Sequence, residues 1–144
     1  MIRNIFKKLT IYIFYIIFSL FDNFIWVLIK LLPKKKVLLI LRLRAFKNIN
    51  LGLKQNIKKK IKNYFIKIIG YRCKNARFAS SCLSRCITGR IFLDLIGVEN
   101  IINIGIIKSK HHEMIPHAWL KDVVSSKNLS PGIKNSNGIS LDSF

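Results

Sequence analysis

The chain has 144 residues, 51% of them hydrophobic, with 26 Lys and Arg against 6 Asp and Glu, a formal charge of +20. That length suits one domain of ordinary size, and the mean hydropathy of +0.30 is high for a freely soluble protein. Three cysteines, Cys73, Cys82 and Cys86, exclude a secreted disulfide framework by their odd number and spacing and point to a reducing compartment. The excess of positive charge draws the chain to membranes, nucleic acid or acidic peptides. Ile, Lys, Asn and Phe are over-used everywhere, as AT-rich codon usage would produce, so part of the charge is compositional. No Gly-rich phosphate loop is present and the aromatics do not interleave with Arg, which leaves only non-specific attraction to nucleic acid.

Residues 1–8 are basic, and residues 9–21, LTIYIFYIIFSLF, form an apolar run that Asp22 and Asn23 interrupt before FIWVLIKLLP follows. A signal peptide needs a small-residue cleavage site, and none follows this run. A transmembrane helix through 9–29 would carry Asp22 and Asn23 inside the bilayer, at a cost. A helical hairpin or an interfacial anchor places both at the headgroups. Lys7, Lys8 and Lys34 to Lys36 favour the cytoplasmic side. The expectation is therefore a hydrophobic and basic segment over 1–36, lying on the inner face of the membrane or docked on a partner, ahead of a separate domain over 37–144.

Residues 37–46 read as a helix. In 55–69, Ile57, Ile61, Tyr64, Phe65 and Ile68 fall on one stripe with lysines opposite, and Gly70 suits the C-terminal end. Ser80 and Ser81 are N-cap candidates for a helix over 82–96, in which Leu83, Ile87, Ile91 and Leu95 recur at i, i+4 and Gly97 is the stop. Gly89 in its interior works against that helix. VENIINIGIIK and HAWLK read as strands, and the polar end of the chain as a loop with at most one short strand. The fold class is α+β.

A cysteine opening a helix has its thiolate stabilised by the helix dipole, and a nearby imidazolium lowers its pKa further. Cys82 holds that position, and His117 is a candidate base downstream, though spacing alone does not single it out. Cys86, one turn inside, reads as core. Cys82, Cys86, His111, His112 and His117 lack the usual zinc spacing, and no metal or cofactor is implied.

From about residue 70 to 133 the chain resembles the transglutaminase-like B proteins of lasso-peptide maturation, cysteine peptidases that cut the leader from a precursor before macrocyclisation. The matching elements are Cys82-Leu83 opening a helix, Gly97 ending it, Ile104-Gly105-Ile106 on a strand, and His117-Ala118-Trp119-Leu120. The resemblance implies a transglutaminase-like or papain-like core, in which the helix carrying the cysteine packs on a small antiparallel sheet. It also implies a precursor peptide as substrate, and a leader-recognition protein and an asparagine-synthetase-like cyclase as partners. Its catalytic set would be Cys82, His117 and a third residue. Where the family carries Asp, twelve residues after the His, this chain has Leu129, so the adjacent Asn128 is the expected third member. Asp122 lies an odd number of residues from His117 and is expected to face away from it along an extended strand. Lys121 stands where the family tends to have Glu.

Overall fold

The computed structural model describes residues 2–42, 52–74, 81–108, 114–125, 129 and 139–143. Among the described residues there are four helices, α1 (Ile2–Leu31), α2 (Lys34–Arg42), α3 (Gln55–Lys74) and α4 (Cys82–Leu95). Three strands follow, β1 (Asn100–Lys108), β2 (Met114–Asp122) and β3 (Ile139–Ser143). The strands form one antiparallel sheet in the order β2-β1-β3. The class is α+β, as expected.

Helix α4 is the middle layer. One side meets β2 and β1 through Cys86, Ile87, Leu93, Ile102, Ala118 and Leu120, which form one buried cluster. The other side meets α1 and α3 through Phe92, whose ring centroid lies 5.9 Å from Phe18, 5.7 Å from Phe21 and 5.2 Å from Phe65. A helix covered from both sides has no need of a single apolar stripe. The expected stripe is accordingly a partial guide: Ile87 is buried, while Leu83, Ile91 and Leu95 are only partly so. Gly89 has a positive reason to be in this helix. A Cβ there would stand 3.0 Å from Leu120 Cδ2 and 3.3 Å from Ile69 Cδ1, so its absence lets α4 settle close to both β2 and α3.

Two expectations about the N-terminal region are corrected. No hairpin turn forms at Asp22 and Asn23, because α1 continues through both. Nor does residue 36 separate two cores. Ile25 of α1 belongs to the same cluster as Cys86 and Leu120, and Phe18 packs with Phe65, Ile68 and Ile69. The reason is polar as well as apolar. Asp22 is fully buried, and its carboxylate accepts from Arg72 Nε at 3.2 Å and from the Ser84 hydroxyl at 2.6 Å. Arg72 also donates to Asn23 Oδ1 at 2.6 Å. A carboxylate that looked incompatible with an apolar helix is thus neutralised by α3 and held by α4.

Helix α3 runs past its expected stop at Gly70 to Lys74, carrying Arg72 into that ion pair. Helix α2 begins earlier than expected, at Lys34. Gly97, at φ +70°, takes the left-handed turn that separates α4 from β1. Beyond it a buried network ties the two elements: Asn100 Nδ2 donates to Asp94 Oδ1 at 2.8 Å and to the Val98 carbonyl at 3.0 Å, and Arg90 Nε approaches Asn100 Oδ1 at 3.4 Å.

Removing one side of the Asp22–Arg72 pair strands a buried charge. Asp22→Leu should therefore cost about 3–5 kcal/mol of unfolding free energy, while the double change Asp22→Leu with Arg72→Met should recover much of it. Urea denaturation of the two variants checks this, and equal stability of both would count against the pair as the link between α1 and α3.

Candidate active site

The N-terminus of α4 is built by its own side chains. Ser81 is the N-cap, with φ −107° and ψ 160°, and its hydroxyl accepts from the Ser84 N–H at 3.0 Å. Ser84 Oγ accepts in return from the Ser81 N–H at 3.1 Å, completing a capping box. The Arg85 N–H is taken by the Ser81 carbonyl at 3.2 Å. Of the two cap candidates the structure uses Ser81, and Ser80 lies outside the described residues. Cys82 follows as the first helical residue, where the Cys82 and Leu83 N–H groups have no acceptor inside the helix by construction.

Among the described strands β2 is at the edge of the sheet, beside β1, with His117 opposite Gly105 and Ala118 opposite Ile104. The start of α4 reaches this edge. The half-buried Cys82 thiol is hydrogen-bonded to the His117 side chain, and the Ala118 N–H donates to its sulfur. Burial alone would push the thiol up. The His117 side-chain hydrogen bond, the Ala118 N–H, the charge of His117 and the charge of Arg85 outweigh it, and the thiol is held below its ordinary value. His117 also stacks on Trp119, with centroids 6.4 Å apart and planes 20° apart, so the ring has an aromatic neighbour two residues along its own strand. This arrangement can generate a thiolate next to an acid able to protonate a leaving group.

Cys86 is only 2% exposed and belongs to the core cluster. His111 and His112 lie outside the described residues, and so does Asn128. Its proposed contact with His117 is therefore not described. Leu129 is described: 1% exposed, in the core cluster with Leu120 and Ala118, its N–H donating to the Leu120 carbonyl at 2.7 Å. The position where the family carries its acid is an apolar core position here.

Asp122 is engaged elsewhere. It sits five residues from His117 on an extended strand, roughly 17 Å along it. Its carboxylate pairs with Lys62 of α3, accepts from the Ser125 hydroxyl at 2.7 Å, and accepts from the Val124 N–H at 3.0 Å. Burial would raise this carboxyl, but the Lys62 hydrogen bond, the Ser125 hydroxyl and N–H, and the Lys62 charge hold it below the usual range. Asp122 thus closes the end of β2 and joins it to α3. Beside it a cleft of about 610 Å³, lined in part by Lys58, Lys59, Lys62 and Asn63, runs between α3 and the end of β2. An apolar cavity of about 170 Å³ lies between α1 and α3. Neither is lined by Cys82 or His117.

Reasoning from sequence missed Arg85, the Ala118 N–H and the Asp22–Ser84 bond. Arg85 was legible in principle, as a cation one turn after the cysteine. The Ala118 N–H needs knowledge of which strand is the edge, and Asp22 reads locally as a defect in an apolar helix.

Compared with family models, with curated proteins and with solved structures, the chain matches none.

Two measurements follow from this geometry. Alkylation of the native protein by iodoacetamide should occur at Cys82, with an inflection below the ordinary thiol value of 9.0. His117→Ala should move that inflection upward, and Cys86 should react only in denaturant. Preferential labelling of Cys86 in the folded protein would contradict the assignment. For Asp122, the folded pKa is depressed, so its contribution to stability is present above the unfolded pKa and is lost as pH falls through the folded one. The gap in melting temperature between wild type and Asp122→Asn should therefore be widest near neutrality and close in acid.

Proposed function

We propose that the protein is a cysteine peptidase of transglutaminase-like type that removes the leader from a ribosomally made, lasso-type precursor peptide before macrocyclisation. The observation that carries the chemistry is the Cys82 thiol on the first turn of α4, hydrogen-bonded to His117 and to the Ala118 N–H. The substrate class rests on the resemblance of Cys82-Leu83, Gly97, Ile104-Gly105-Ile106 and His117-Ala118-Trp119-Leu120 to the lasso-peptide B proteins.

His117 takes the thiol proton and the sulfur attacks the scissile carbonyl carbon. The resulting oxyanion is met by N–H groups at the start of α4, which the helix itself does not use. As the C–N bond breaks, the imidazolium gives its proton to the departing amine. A thioester between Cys82 and the leader's new C-terminal residue remains. His117 then deprotonates a water, hydroxide adds to the thioester carbonyl, and the thiol leaves as the acid forms. Asn128 is the proposed third member, accepting from the ring through its side-chain carbonyl. A leader-recognition protein and an asparagine-synthetase-like cyclase are the proposed partners.

Burial of Leu129 favours a second reading, a transglutaminase-like protein of weakened activity that binds the same peptide or partner. Mass spectrometry of a precursor peptide incubated with the full chain and the leader-binding protein separates the two. Cleavage that falls by roughly 10³-fold or more in Cys82→Ala and in His117→Ala, with an acyl adduct on Cys82 after an acid quench, supports the peptidase. Undiminished cleavage in Cys82→Ala rules it out, and binding without cleavage supports the second reading.

A further inference from the structure

Helix α1 meets α3 and α4 with one face only. The opposite face carries Leu9, Ile13, Leu20, Phe24, Val27 and Leu31, each at least 43% exposed. At a helical turn of 100° per residue, the exposed apolar side chains of α1 that touch neither α3 nor α4 sweep an arc of about 140°, and the docked ones, with Phe14 on Phe65 and Phe21 on Phe92, about 120°. The segment Leu9–Leu31 has a mean hydropathy of 1.9 and is long enough to cross a membrane by length and composition. Between Leu9 and Ile29 its sole charged residue is Asp22, which points inward to Arg72.

Two features decide what covers this face. First, the docking contacts are spread along the middle of the helix: Tyr15 on Tyr71, Phe18 on Phe92, Asp22 on Arg72, and Ile25 in the main core. A spanning α1 would carry α3 with it, and with α3 the exposed Lys67 and the Lys62–Asp122 pair, into the hydrocarbon, where such charges are strongly disfavoured. Second, an arc of about 140° is wider than the roughly 100° stripe that a single partner helix covers. It suits immersion in a continuous apolar medium. Exposed Lys30, Lys35 and Lys36 flank its C-terminal end, Lys7 and Lys8 flank the other in sequence, and the net charge is +20, which complements anionic headgroups.

We propose that α1 lies in the plane of an anionic lipid bilayer surface, its outer arc immersed at the boundary between headgroups and acyl chains. The helix then neither spans the membrane nor stands free, and Cys82 and His117 are held on the aqueous side.

The full chain is mixed with phosphatidylcholine vesicles with and without phosphatidylglycerol and floated on a density gradient. It should float with the anionic vesicles at least tenfold better than with the neutral ones. Leu20→Glu with Phe24→Glu should reduce flotation more than tenfold, with unchanged far-UV circular dichroism and unchanged alkylation of Cys82. Spin labels placed one at a time at Leu9→Cys, Leu20→Cys and Leu31→Cys, in a background with the native cysteines replaced, should report one common shallow depth. A deep label at position 20 between two shallow ones means a span and overturns the proposal. A soluble monomer that ignores vesicles overturns it too, and so does a homodimer that the double glutamate change dissolves.

Discussion

Asp22 is a carboxylate without solvent contact in the middle of a 30-residue apolar helix, and a charge so placed must be answered within the same protein. Arg72 answers its charge, and the Ser84 hydroxyl donates a second hydrogen bond to it. Those partners come from α3 and α4, so satisfying one side chain fixes three helices against one another. Ser84 is also half of the capping box that begins α4. The same carboxylate that docks α1 therefore stands one hydrogen bond from the cap that orients Cys82. Any account in which α1 is a detachable appendage fails on this point.

The site itself arises from two incomplete hydrogen-bonding surfaces brought together. A helix start leaves N–H groups without acceptors, and an edge strand leaves every second N–H pointing away from its neighbour. Where α4 meets β2, the sulfur of Cys82 accepts from one such edge group, at Ala118, and His117 stands beside it on the same strand. Burial opposes the thiolate, but a hydrogen bond, a backbone donor and two cationic side chains all favour it. Two elements, α4 and β2, supply these groups, and Gly89 lets α4 lie close to Leu120 of β2.

The strong positive charge has separable locations. Lys62 serves structure, joining α3 to Asp122 at the end of β2. Arg72 and Arg90 are buried and hydrogen-bonded within the domain. Lys30, Lys35 and Lys36 are exposed next to the open apolar face of α1. Compositional bias accounts for an excess of lysine, but it does not account for which of them became buried partners and which border an open face.

Periodicity, caps and stops are local, and they were legible in the sequence for that reason. The helix opening at Cys82, a serine cap at 80 or 81, its stop at Gly97, the strands around Ile104 and His117, and the core assignment of Cys86 all follow from neighbours a few residues apart. The pairing of Cys82 with His117 was legible as chemistry and through resemblance, but its geometry was not. What the tertiary structure alone decided involves residues far apart in the chain. Asp22 reads as a costly interruption of an apolar run until Arg72, 50 residues away, is seen beside it. Asp122 reads as a spare acid until Lys62 and Ser125 occupy it, and Leu129 reads as a displaced catalytic position until Leu120 and Ala118 surround it. A charge is costly or harmless, and a position catalytic or structural, according to the groups folding brings near it, and local sequence carries no record of those.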